Sequence, residues 1–401
     1  MATSADTFPA GFLVGASTSA HQVEGNNLGS DWWALENRDG TPLPERSGDA
    51  CDSLHRWRED IDLLASLGLN AYRFSIEWAR VEPAPGQFSA AMVEHYATMV
   101  RYAIERGLQP VLTLHHFTHP LWFTRAGGWE APDALDRFSA YTAAVAPVID
   151  AGVGTVITIN EPNILAVMQT VVRGEGELAT GLGGGLPDPH RPTAEALAAA
   201  HTRTAAELRR RHPGVAIGWS IANQCVQHLP GGEQQAAAYR HRHEDWYLEH
   251  SKADDVVGVQ AYTRTIIGPD GIVPPAPEAA RTQMGWEYYP PAVGEAVRRT
   301  RTMVGDVPVL VTENGIATSD DTQRIAYTTG ALQSLAAAIA DGVDVRGYLH
   351  WSALDNYEWG RWDPTFGLIA VDRNTFARTP KPSAAWLGEI ARTGRVPAEA
   401  R

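Results

Sequence analysis

The stretch Thr-Val-Ile-Thr-Ile-Asn-Glu-Pro (155–162) is an apolar, largely β-branched run that ends in a carboxylate, Glu161, immediately before a proline. A second stretch, Val-Leu-Val-Thr-Glu-Asn-Gly (309–315), repeats the pattern and ends at Glu313. A strand that is apolar along nearly its whole length is buried on both faces, as in a parallel sheet covered by helices. A carboxylate where such a strand runs out must face a cleft or be neutralised by a partner.

Working outward from these two strands, short apolar runs alternate with amphipathic stretches along the chain, and we read eight strand–helix pairs. The strands fall at Phe12–Ser17, Ala71–Trp78, Pro110–Phe117, Thr155–Asn160, Val215–Ile221, Val256–Tyr262, Val309–Thr312 and Arg346–Ser352. The helices fall near Leu54–Leu67, Ala90–Arg106, Pro132–Ile149, Thr193–Arg211, Gln234–His250, Pro291–Val304, Gln323–Ala340 and Ser383–Ala391, with Gly68, Gly107, Gly152, Gly305 and Gly342 as stops. Such strict alternation specifies a single α/β domain over residues 1–401, a (β/α)₈ TIM barrel with its site at the carboxyl ends of the strands. Val172 to Pro192 and Thr265 to Tyr289 read as rim loops over the same mouth.

The 401 residues are 44% apolar and 20% charged, which permits a large core. A net charge of −14 argues against nucleic acid and anionic membrane surfaces as partners. Cys51 and Cys225 are too few for a disulfide framework and read as free thiols. Met1 to Pro9 lacks the basic start and apolar stretch of a signal peptide, and no window is long and apolar enough for a membrane span, so a cytoplasmic location is expected. Several of the 13 Trp lie beside polar residues at strand ends, an arrangement suited to stacking on a sugar while polar groups bind its hydroxyls.

Every strand end but the fifth offers polar or aromatic groups: Gln22 and Glu24, Arg73, His115 and His116, Tyr262, and Trp351 leading to Asp355, Glu358 and Trp359. Taken singly, such residues are more often structural; convergence from separate strands makes a site. Two carboxyl groups at the mouth of one barrel supply what glycosidic-bond hydrolysis needs, a proton for the leaving oxygen and an anion to attack or stabilise the anomeric carbon.

These residues also resemble a family, the retaining β-glycosidases of glycoside hydrolase family 1. The resemblance runs through Phe-Leu-Val-Gly-Ala-Ser-Thr-Ser-Ala-His-Gln-Val-Glu-Gly (12–25), Tyr-Arg-Phe-Ser-Ile-Glu-Trp-Ala-Arg (72–80), Thr-Ile-Asn-Glu-Pro (158–162), Met-Gly-Trp-Glu (284–287), Val-Thr-Glu-Asn-Gly (311–315) and Trp-Ser-Ala-Leu-Asp-Asn-Tyr-Glu-Trp (351–359). It implies Glu161 as acid/base and Glu313 as nucleophile, with Arg73 and Tyr262 keeping Glu313 ionised and Asn160 donating to the sugar 2-hydroxyl. It assigns Gln22, His116, Glu358 and Trp359 to the hydroxyls of the nonreducing sugar, Trp351 to stacking and Phe366 to an apolar wall. Glu358 would repel a 6-phosphate, and the Ser-and-Lys pocket of the phosphoglycosidase branch is missing from Glu358-Trp359-Gly360-Arg361.

Two departures bear on the leaving-group side: Gln260-Ala261-Tyr262 stands for the usual Asn-Tyr-Tyr, and His116-Phe117-Thr118 for His-Trp-Asp. The resulting expectation is a β-glycosidase acting with retention on small neutral β-glucosides or short β-linked oligosaccharides, without metal or organic cofactor. The rivals are a transglycosidase of the same chemistry, a noncatalytic sugar-binding relative, and a 6-phospho-β-glucosidase.

Overall fold

The computed structural model describes residues 7–176, 185–395 and 398. Eight parallel strands close into a barrel: β1 Leu13–Ser17, β2 Ala71–Ser75, β3 Gln109–His115, β4 Thr155–Asn160, β5 Ala216–Ala222, β6 Val257–Gln260, β7 Val309–Asn314 and β8 Val345–Trp351. Each pairs with its sequence neighbours, and β8 returns to β1 with Ser17 opposite Trp351. This is the (β/α)₈ TIM barrel expected from the alternation. The principal outer helices are α1 Ser53–Leu67, α2 Ala90–Glu105, α3 Ala134–Ala144, α4 Arg191–Arg211, α5 Glu233–Arg240, α6 Ala292–Val304, α7 Asp321–Ala340 and α8 Pro382–Thr393.

Local chemistry sets several helix ends. The Ser89 side chain accepts from the Met92 N–H to start α2, and Asp320 accepts from Thr322 and Gln323 to start α7. Gly68 closes α1 at φ +96°, a conformation that a side chain would strain.

The barrel interior is plugged by a layer to which every strand, or the residue leading into it, contributes: Leu13, Ala71, Val111, Ile157, Ala216, Val256, Leu310 and Leu349. Above that plug the inward positions turn polar, beginning with Arg73. The strands approach closely at Gly258, where a Cβ would lie 2.5 Å from Ser220 Cβ.

The structure corrects several boundaries. β2 ends at Ser75 instead of Trp78, because Trp78 starts a short helix to Val81 in which the Glu77 side chain caps the Ala79 N–H. β3 stops at His115, since Phe117 lies at φ +66°, outside strand conformation. β7 runs on through Asn314, so Glu313 belongs to the strand. The helix expected over Pro132–Ile149 breaks at Val145, and Pro147 sits in the first turn of a second helix, Ala146–Asp150. The stretch expected as a loop after β6 carries two strands, Thr265–Gly268 and Gly271–Val273, which form a small sheet with Val226–His228. Residues 177–184, within the first expected rim loop, lie outside the described residues. Cys51 and Cys225 are buried free thiols, and no helix among the described residues is long and apolar enough to cross a membrane.

Candidate active site

Arg73 organises the mouth of the barrel. It is fully buried, and its Nε donates to Thr113 Oγ1 on β3 at 3.0 Å. One terminal nitrogen donates to Glu313 Oε1 at 2.5 Å and the other to Asn160 Oδ1 at 2.5 Å. A single guanidinium thus ties the ends of β2, β3, β4 and β7 together, a task its rigid fork suits better than a lysine would. The other oxygen of Glu313 accepts from the Tyr262 hydroxyl at 2.7 Å.

Asn160 is the second hub. Its Oδ1 also accepts from Ser220 Oγ at 3.1 Å and Gln260 Nε2 at 2.8 Å. With three donors on that oxygen, the buried Nδ2 has no partner among the described residues. Gln260, 1% exposed, joins this network by donating to Asn160 and to Ser220 Oγ at 3.3 Å. The fifth strand, which looked silent in sequence, supplies Ser220.

Glu161 follows directly on Asn160. Its backbone sits at φ +43° and it precedes the helix Pro162–Val172, whose proline needs no N–H at that point. Among the described residues its carboxyl has no hydrogen bond or ion pair, in contrast to that of Glu313. Burial raises the proton affinity of both, but the opposing groups differ. Glu313 is raised by burial and pulled back by Arg73, Tyr262 and Gln260. Glu161 is raised well above the carboxylate range by burial and by the Glu313 charge, with only Arg73 opposing. In the pair, the first proton to be lost belongs to Glu313, and Glu161 keeps its own.

The outer half of the pocket gathers the remaining expected residues. Gln22 Nε2 donates to Tyr357 O at 2.8 Å and to Glu358 Oε2 at 3.2 Å, and Trp351 Nε1 donates to Glu358 Oε1 at 3.2 Å. Glu358 therefore has neutral donors and no counter-charge; burial pushes its pKa up to about 8. The His116 ring lies near-parallel to that of Trp351, and burial, followed by Arg73, holds it neutral. Phe366 is 2% exposed and packs with Tyr262 and Trp286. Trp359 lies between His116 and His21.

Two other acids drop out of the site. Glu24 pairs with Arg80 at 2.7 Å and accepts from Tyr96 at 2.8 Å, and Asp355 pairs with Lys381 at 2.7 Å. Arg361, a conceivable phosphate ligand, is paired with Asp363 at 2.5 Å on the surface. The sequence met Gln260 only as a departure and gave Thr113 and Ser220 no role; a Ser or Thr inside a barrel strand is as often a packing residue, and the only signal for those two was inward register. No group of three or more His, Cys, Asp or Glu among the described residues could hold a metal.

Comparison with known proteins gives this geometry a context. Residues 4–268 and 250–395 match the model of "Glycosyl hydrolase family 1". A bifunctional beta-D-glucosidase/beta-D-fucosidase of Bifidobacterium breve is 30% identical, over 94% of this chain and 97% of that protein. The crystal structure of beta-glycosidase BGL167 superposes with a TM-score of 0.88 at 44% identity, covering 98% of this chain and 99% of that one. The beta-glycosidase from Pyrococcus horikoshii superposes with a TM-score of 0.85 at 33% identity, over 98% and 96% respectively. The chain thus belongs to glycosyl hydrolase family 1 and is a glycoside hydrolase.

Proposed function

We propose that the whole chain acts as one catalytic barrel, a retaining β-glycosidase that removes terminal nonreducing β-glucosyl residues from small neutral glycosides. The observation that carries this reading is the unequal treatment of two neighbouring carboxyls: Glu313 is clamped by Arg73 and Tyr262, while Glu161 is unpaired and raised. An anion held by a cation and a hydroxyl suits the nucleophile, and a carboxylic acid that keeps its proton suits the general acid.

In the first step a Glu313 oxygen attacks the anomeric carbon while Glu161 gives its proton to the leaving oxygen, so that a glycosyl ester forms and an alcohol departs. Esterification removes the charge that had raised Glu161, and its proton affinity drops. Glu161, now a carboxylate, takes a proton from water as that water attacks the same carbon, which frees Glu313. Asn160 Nδ2, without a partner among the described residues, would donate to the sugar 2-hydroxyl. Gln22, His116, Glu358 and Trp359 would bind the hydroxyls remote from the bond that breaks, over Trp351 and Phe366.

Glu358 is met by the neutral donors Gln22 and Trp351, and Arg361 is taken by Asp363, so a 6-phosphate would find no cation to pair with, which favours a neutral sugar. The dual name of the Bifidobacterium relative fits a pocket in which glucosyl and fucosyl residues compete. The test is a panel of aryl β-glycosides differing only in the sugar. Glucoside turnover with fucoside and galactoside as weaker or comparable substrates supports the reading, and preference for 6-phosphoglucoside would overturn it.

A further inference from the structure

Four rings in the outer pocket form a near-parallel column. His21 lies on Trp359 with centroids 5.8 Å apart and planes 8° apart, Trp359 on His116 at 6.3 Å and 17°, and His116 on Trp351 at 5.9 Å and 25°. Three of these rings belong to residues already given a role toward the sugar. The fourth, His21, is 1% exposed and has been given none.

His21 is itself held from behind. Asn27 Nδ2 donates to its Nδ1 at 3.1 Å, which puts the ring proton on Nε2. That nitrogen lies 3.8 Å from Glu36 Oε2, and Glu36 is fully buried and accepts from the Ser47 N–H at 3.0 Å and from the Ser47 hydroxyl. Trp359 needs such backing. Its backbone lies at φ +50°, a left-handed conformation that a residue with a side chain rarely adopts. Trp32 and Phe117 meet the indole with ring planes at 80° and 78°, whereas His21 and His116 are the rings near-parallel to it.

The short helix Ala20–Val23 therefore delivers two adjacent side chains to two adjacent targets: Gln22 to Glu358, and His21 to Trp359. We propose that His21, oriented by Asn27 and Glu36, is a positioning residue that fixes the angle of the Trp359 indole and thereby sets how tightly the nonreducing sugar is held. This rests on the β-glycosidase reading above, but its failure is separable from a failure of that reading, because aryl β-glucoside turnover by the unaltered enzyme tests the latter.

The experiment is a double-mutant cycle read as kcat/KM on an aryl β-glucoside, with folding checked by thermal melting. Loss of one aromatic pair corresponds to a drop of up to about 10-fold, so His21→Ala should fall about 5- to 10-fold while His21→Phe, which keeps the ring, recovers most of the loss. In a Trp359→Ala background the further change His21→Ala should cost less than about 2-fold, because the residue through which His21 acts is gone. If His21→Ala does not fold, His21→Leu, close in volume but without a flat ring, takes its place in every comparison. An undiminished loss in the Trp359→Ala background, an equal loss for the Phe and Ala variants, or unchanged kinetics for the Ala variant would each overturn the proposal.

Discussion

Replacing Glu161 with Ala separates the two halves of the proposed reaction. The structure fixes how large the effect must be. General acid catalysis is worth about 10²- to 10⁴-fold, and the full range applies only where no neighbour can take over. Here the Tyr262 hydroxyl is engaged by Glu313, His116 is kept neutral, Glu24 is held by Arg80 and Tyr96, and Asp355 by Lys381. We therefore expect the upper half of that range, about 10³- to 10⁴-fold or 4–5.5 kcal/mol in kcat/KM, for cellobiose, whose sugar alkoxide cannot leave unprotonated.

Dinitrophenyl glucoside, whose phenolate leaves unaided, should lose less than about 5-fold in the same parameter, because its first step asks little of the acid. Its second step should stall for want of a base, which stopped-flow absorbance records as a burst of dinitrophenol followed by a slow steady rate. Azide should accelerate that rate and give a β-glycosyl azide. The basic limb of the pH profile should also vanish, since in the unaltered enzyme activity falls as Glu161 loses its proton. An equal loss for both substrates, with no rescue by azide, would make Glu161 a structural carboxylate and refute the assignment.

Other outcomes follow from the same geometry. Tyr262→Phe removes a hydrogen bond of 2.7 Å to Glu313; such bonds to charged groups are worth about 1.5–3 kcal/mol, so kcat/KM should fall about 10- to 150-fold and the acid limb of its pH profile should move to higher pH. Arg73→Met leaves Glu313 buried without its cation, and urea unfolding should report a loss of about 3–5 kcal/mol. Glu358→Ser should weaken transition-state binding of neutral glucosides by about 2–4 kcal/mol, measured as kcat/KM on an aryl glucoside. Glu358→Gln bears on stability instead: the folded protein keeps a proton to about pH 8 that the unfolded chain loses above the ordinary carboxylate value of 4.5, so the native state of the parent loses stability as pH rises between these limits. The melting temperature of the Gln variant should therefore gain on the parent from pH 5 to pH 9, and a constant difference would contradict the cause assigned to Glu358.

The fold was legible because each barrel strand is short, apolar and bounded, and the helices between them carry their own stops. Glu161 and Glu313 were legible for the opposite reason: a carboxylate at the end of such a strand breaks its pattern. What the sequence concealed depends on geometry across strands. Nothing in the order of residues says that Arg73 reaches Asn160 as well as Glu313, or that Ser220 and Gln260 complete the donors on Asn160 Oδ1. The break at Val145 and the strands in 265–273 were missed because helix propensity ran through the first and turn-forming residues surround the second. Likewise, His21 gives no sign in sequence of facing Trp359, which is over three hundred positions away.

Retention through a glycosyl ester requires that Glu313 form a covalent bond to the sugar. The most direct measurement of that bond is the intact mass, followed by the peptide map, of the enzyme after incubation with dinitrophenyl 2-deoxy-2-fluoro-β-glucoside, whose fluorine slows both steps while its activated leaving group restores the rate of the first alone, so the intermediate accumulates. Time-dependent inactivation is expected, with one fluoroglucosyl group per chain attached in the peptide that contains Glu313. An enzyme that turns over the parent glucoside yet takes up no label, or carries the label on Glu161 or elsewhere, would contradict covalent attack by Glu313.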